Sequence, residues 1–253
     1  MNMRKKIKKS LHHINRFLEN ADDTTLKYLK MSDEQRNIMV NCVYNVHQSH
    51  DEYSMAIGYS PETNHATIYY NPEIEELDQN STTKIVIHEM GHVFERLRHD
   101  DKLAKLSNSF PLKYLYQYNA HFDAGIDLVS LVAGEFFPGS RYLISMGLSV
   151  LGGIGLYPAR QMEVKCDDLA DKIMPEMTQK QENKNTDALK GIKRTTFTKM
   201  MESFSSFFST HPSTSYRESR SDKMCKKYLK QKQELGIPSI YIPADNAPLP
   251  SAS

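Results

Sequence analysis

The chain has 253 residues, enough for one large domain or two small ones at roughly 150 residues per domain. With 39% hydrophobic and 25% charged residues it can fill a core, which excludes a disordered chain. Its 32 basic residues against 31 acidic ones give no global field to draw it onto nucleic acid, so no nucleic-acid partner is expected.

The first nine residues carry Arg4, Lys5, Lys6, Lys8 and Lys9, but no apolar run of signal-peptide length follows, so no cleavable signal is read. Ile7, Leu11, Ile14 and Leu18 recur at helical spacing and predict a basic amphipathic helix, docked on the protein's own core or lying on an anionic membrane surface. Residues 1–50 read as helical throughout, with Asp33 opening a second helix through Ile38, Val43 and Val46. From Tyr53 to Tyr59 and from Ala66 to Tyr70 the chain turns β-rich, with Pro61 and Asn64 in the connection, which predicts a hairpin. Ser81-Thr82-Thr83 can cap a long helix from about Lys84 to His99. Further helices are expected over 101–118, 122–136, 142–156 and 159–174, then a polar mobile loop over 177–196. A basic helix follows His211-Pro212 and runs through Leu235. The chain ends in an extended tail with Pro238, Pro243, Pro248 and Pro250.

This pattern predicts an α+β fold, mainly α. The expected divisions are an N-terminal helical segment over 1–50 packing on the core, a main domain over 51–235 and a tail over 236–253. The three cysteines, Cys42, Cys166 and Cys225, are odd in number and far apart, unlike a disulfide framework. They point to a reducing, cytoplasmic compartment.

The chemistry concentrates in His88-Glu89-Met90-Gly91-His92. Histidines at i and i+4 project about 40° apart around a helix, so both imidazoles can reach one metal ion. Glu89, beside them, can hold a metal-bound water and take its proton, as in a zinc metalloprotease. The small Gly91 lets another backbone or the substrate come near. Ile85, Val86, Val93, Phe94 and Leu97 would bury the helix. The bland alternative is an amphipathic helix with two partly exposed histidines.

Zinc needs a third protein ligand. The extended motif that places Gly at 95 and His at 98 is absent, since Glu95 and Arg98 stand there; His99 is one position off and His121 lacks a supporting pattern. Glu163, Asp167 and Asp171 form an acidic stripe at i, i+4 and i+8. It is either a solvated helix face or a functional one, with Glu163 on the metal and Asp167 orienting a metal-bound histidine.

His-Glu-Met-Gly-His, then Arg160, Glu163, Asp167 and Ala170, then Thr210-His211-Pro212 with Arg217, occur in the order that identifies the chain as resembling the HtpX and CAAX-prenyl-protease family of zinc endopeptidases. The resemblance spans 88 to 217. Ala159 and Cys166 replace that pattern's Ser and Ala, and a competing register through Asp167 to Asp171 would offer Asp as ligand. The resemblance implies a zincin-like core with a small antiparallel sheet beside the helix bearing the histidines. It implies one zinc per chain in a gluzincin site held by His88, His92 and Glu163, with Glu89 as general base. His211 and Arg217 would lie near the cleft to stabilise the tetrahedral intermediate or position substrate. A protein or peptide substrate would bind in extended form along an edge strand, for which Ala66 to Asn71 is the candidate.

Tyr142 to Ala159 carries no charged side chain and reaches the lower bound of about 18 residues for a membrane span. Gly147, Gly152, Gly153, Gly155 and Pro158 interrupt it, and the preceding 124–139 contains Asp127 and Glu135, costly at bilayer depth. A buried helix over the catalytic helix is therefore expected. Membrane contact stays open through 142–159 or the basic N-terminal helix. The sequence thus predicts a zinc-dependent endopeptidase. The alternatives are a membrane-surface protease of the same chemistry and a non-catalytic protein-binding pseudo-peptidase, which would have no reason to retain Glu89.

Overall fold

The computed structural model describes residues 1–49, 55–97, 160–181, 184 and 213–241. The chain divides into two compact units, one of 1–98, 164–195 and 215–253, the other of 99–163 and 196–214. Of the second unit only 160–163 and 213–214 are described. The helices expected over 101–118, 122–136 and 142–156, and the apolar run 142–159, lie outside the described residues. Among the described residues no helix is long and apolar enough to cross a membrane.

Helix α1 (Met3–Glu19) starts on Asn2, whose side chain accepts from the Lys5 backbone N–H. One face buries Met3, Ile7, Leu11, Ile14 and Leu18, while Arg4, Lys5, Lys8 and Lys9 are exposed opposite. Each such burial contributes about 1.5–3 kcal/mol. The apolar face is therefore spent on the protein's own core. Lys6 Nζ donates to the carbonyls of Glu75 and Leu77, and Ser10 Oγ lies 2.8 Å from Thr83 Oγ1, which ties α1 to the helix carrying the histidines.

The rest of the N-terminal segment differs from a helical reading. Helix α2 (Asp23–Leu29) is capped by Asp22 and ends at Lys30, whose φ is 58°. Helix α3 (Asp33–Val40) begins at Asp33 as expected, on a Ser32/Gln35 capping box, but stops at Asn41. Val43 and Val46 belong to strand β1 (Val43–Gln48), not to a helix. The β-branched valines and Tyr44 suit a pleated surface, and a parallel partner is present for every residue from Val43 to Gln48.

That partner is β3 (His65–Tyr70), and β2 (Met55–Ser60) pairs with β3 on its other side. The expected hairpin forms: β2 and β3 run antiparallel with Ile57 opposite Ile68, and the connection contains Asn64 at φ 51°. Because β1 joins in parallel, with Val46 opposite Ile68, the sheet is mixed and not antiparallel. Its order, β1-β3-β2, also corrects the choice of edge. The segment from Ala66 lies in the middle strand, and among the described residues the edges are β1 and β2. Ala66, Ile68 and Tyr70 turn their side chains into the core.

Helix α4 (Gln79–Leu97) begins five residues earlier than Lys84. Asp78 caps it, accepting from the Asn80 and Ser81 N–H groups, so Ser81, Thr82 and Thr83 are buried inside the helix instead of capping it. Val86, Val93, Phe94 and Leu97 are buried and Ile85 packs at the edge of the core. Helix α5 covers 160–173, close to the expected 159–174, and α6 (Thr214–Glu234) is the expected basic helix. The described start of the polar 177–196 segment is not loose: Met177 and Gln179 are buried and the Gln179 N–H donates to Ser221 Oγ. The tail likewise begins docked, with Ile237 buried after Gly236 turns the chain at φ 67°.

Candidate metal centre

Helices α4 and α5 meet along one line of side chains. Lys84 Nζ lies 2.7 Å from Asp171 Oδ1, and one turn further His88 Nδ1 lies 2.9 Å from Asp167 Oδ1. Moving four residues forward on α4 moves the partner four residues back on α5, so the helices are antiparallel along this line. Another turn on come His92 and Glu163. Donor atoms of His88, His92 and Glu163 all lie within 4.8 Å of one another, and the two imidazoles meet edge to face at 5.2 Å.

The acidic stripe is therefore buried, not solvated: Glu163, Asp167 and Asp171 are all among the buried charged residues. Its three members do different things. Glu163 joins the two histidines, Asp167 orients one of them, and Asp171 neutralises a lysine. The competing register with an Asp ligand is not what the geometry forms among the described residues.

The close approach of the helices depends on Gly91. A Cβ there would stand 2.9 Å from Cys166 Cα and 3.0 Å from its Cβ. The expectation that a small residue admits another backbone is met by α5 itself. Gly91→Ala should force α4 and α5 apart, costing about 1–3 kcal/mol and drawing Glu163 away from the histidines. Thermal unfolding together with metal titration would check this, and a variant equal to wild type in both would overturn it.

Asp167 is held from two sides. Arg217 on α6 donates through Nε at 2.7 Å and Nη2 at 2.6 Å, and His88 supplies the third contact. Burial alone would raise the Asp167 carboxyl, but the hydrogen bonds and charges of His88 and Arg217 outweigh it and hold it well below the usual carboxylate range. An ionised Asp167 fixes the His88 tautomer with the proton on Nδ1, leaving Nε2 as the nitrogen that can bind a metal. Arg217 thus sits one carboxylate away from His88, both of these donors committed to Asp167. His211 lies outside the described residues.

Next to it, Asp168 receives the Tyr228 hydroxyl at 2.7 Å and Arg220 at 3.0 Å, with Lys172 at 3.3 Å. Burial opposes its ionisation, but the Tyr228 hydrogen bond and the two cations keep its carboxyl below its ordinary value. Arg220, Tyr228 and Lys84 are contacts that the sequence reading missed. Lys84 alone had a legible signal, since it continues the His88–His92 spacing one turn back, opposite the acidic stripe.

The donor set suits zinc. Two imidazoles and a carboxylate converge, a carboxylate orients one imidazole from behind, and Glu89 is buried beside them at 7% exposure. No curated protein and no solved structure gives a match to the chain. The sequence model of peptidase family M48 matches residues 27–224. That match reaches from α2 to the middle of α6, taking in His88, Glu89, His92, Glu163, Asp167 and Arg217, and the protein belongs to peptidase family M48.

Proposed function

We propose that the protein is a zinc-dependent endopeptidase with a zincin-like core. It binds one zinc through His88, His92 and Glu163 and uses Glu89 as general base. Family membership supports a metal-dependent peptidase acting on protein substrates. The observation that carries the finer reading is the convergence of donor atoms from His88, His92 and Glu163 within 4.8 Å.

Zinc in such a site supplies Lewis-acid polarisation of a carbonyl and makes water acidic enough to lose a proton near neutral pH. The remaining work belongs to the chain. Glu89 accepts the proton of the attacking water and returns it to the leaving amine, a role suited to a carboxylate in a partly dry cleft. Asp167 keeps His88 in one tautomer and one orientation. Arg217 keeps Asp167 ionised, which makes it a positioning residue rather than one that touches substrate. For His211 the family pattern remains the support for a place near the cleft.

An extended substrate needs a free sheet edge. Of the two edges, β2 is the one that packs on α4, so we assign it the main-chain contacts that were first expected of Ala66 to Asn71. Such pairing gives affinity with little side-chain selectivity. The three cysteines are buried and form no disulfide with one another, which agrees with a reducing, cytoplasmic setting.

The test is direct. Purified protein should hold close to one zinc per chain, cleave an unfolded protein at internal bonds, and lose both properties in His88→Ala. Zinc absent from the wild-type protein, or cleavage that survives exhaustive chelation, would sink the reading.

A further inference from the structure

We infer that the buried Lys84–Asp171 pair is a positioning device for the metal centre, fixing the register of α4 against α5 and thereby the reach of Glu163 toward His88 and His92. This rests on the zinc reading above and deepens it.

The positions form a ladder. Lys84, His88 and His92 follow one another by one turn on α4, and Asp171, Asp167 and Glu163 follow one another by one turn in the opposite sense on α5. The first rung closes at 2.7 Å and the second at 2.9 Å, and the third brings together metal-binding donor atoms. A slip of one residue along a helix is a shift of about 1.5 Å and a rotation of about 100°. Ligand distances in a zinc site hold to within about 0.2 Å. The third rung therefore cannot tolerate a slip, and something must define the register.

Apolar contacts between the helices do this poorly. Val86 and Val93 on α4, with Leu169 and Ile173 on α5, are buried in the common core, but apolar burial is non-directional and tolerates repacking. A buried ion pair is directional, and register is the best-attested use of buried polar groups. Lys84 and Asp171 are each only 1% exposed. Lys84 Nζ also donates to the Met177 carbonyl, and Asp171 Oδ1 also accepts from Ser221 and Cys225 on α6. Burial pushes the Cys225 thiol up to about 12, so it remains a donor to Asp171. The first rung is thus pinned from α4, from α5, from the turn after α5 and from α6.

Lys84 stands one turn from His88 and two turns from His92, about 6 and 12 Å along the helix axis, and it bonds to Asp171 and the Met177 carbonyl, so its effect on zinc is assigned to helix register. Stability by itself does not call for this pair, because well-packed apolar residues of similar volume generally serve as well.

That distinction supplies the test. In the full-length chain, Lys84→Met/Asp171→Leu should keep a melting temperature at or above that of wild type. Its zinc affinity, measured by competition with a chromogenic chelator, should fall about tenfold or more, as for losses of supporting contacts around metal sites. With cobalt(II) in place of zinc, the visible absorption of the four-coordinate site should weaken or shift. If the double variant does not fold, Asp171→Asn is read by its rate of zinc loss to the chelator, with acceleration by a similar factor expected. A folded variant with wild-type zinc affinity and an unchanged cobalt spectrum would overturn the inference. Failure of the wild-type protein to bind zinc at all would instead overturn the reading on which it rests.

Discussion

Glu89→Gln should retain its zinc and lose peptidase activity by about 10²–10⁴-fold, the usual contribution of a positioned general base. The amide has almost the same shape as the carboxylate, so the fold and the neighbouring histidines should be undisturbed. It cannot take a proton, and nothing else among the described site residues is free to do so: Glu163 is grouped with the histidines and Asp167 is committed to His88 and Arg217. The loss should fall on kcat more than on KM, because the base acts in the transition state. Zinc content, initial rates on an unfolded protein and a map of cleaved bonds would be measured side by side. A variant with full zinc and full rate would remove Glu89 from the mechanism. Wild-type protein that binds zinc but cleaves nothing would favour the non-catalytic alternative.

The largest effect on stability should come from Lys84→Met alone. Asp171 would then lose its cationic partner at 1% exposure, with Ser221 and Cys225 as its remaining donors among the described residues, and the Met177 carbonyl would lose a donor. Removing one member of a buried pair costs about 3–5 kcal/mol, and the melting temperature should fall by on the order of 10 °C in a protein of this size. Calorimetry or circular dichroism would read this. Melting within a degree or two of wild type would mean that the pair is far better hydrated than its burial indicates. The contrast with the apolar double variant matters, since the single substitution harms by leaving a charge behind rather than by removing an attraction.

How much of this was legible beforehand varies with the range over which the causes act. The histidines on α4, the acidic spacing on α5 and the basic helix α6 all follow a local period, and each forms where its period put it. The start of α4 was misjudged because Ser81, Thr82 and Thr83 have good capping chemistry, yet Asp78 reaches the free N–H groups first and the three hydroxyl residues become core. Strand β1 was missed for a different reason. Val43 and Val46 stand three residues apart, which fits a helix face on paper, and only the availability of β3 as a parallel partner decides otherwise. The assignment of Ala66 to Asn71 to an edge failed with it, since a third strand makes the second one central. Arg217 shows the same limit at the site. Its spacing after His211-Pro212 marks it as functional, but that its guanidinium lies against Asp167 is a fact about a contact 50 residues away in sequence.

Those sequence separations bear on how the protein comes to exist. His88 and Asp167 are 79 residues apart, and Asp167 and Arg217 another 50. Contacts this distant form slowly and late, and a chain emerging at about 5–20 residues per second delivers Arg217 only seconds after His88. A nascent or truncated chain ending before α6 has both histidines but no cation to hold Asp167 ionised, and no Ser221 or Cys225 behind Asp171. The order in which the chain is made therefore keeps this set of contacts incomplete until α6 has been made.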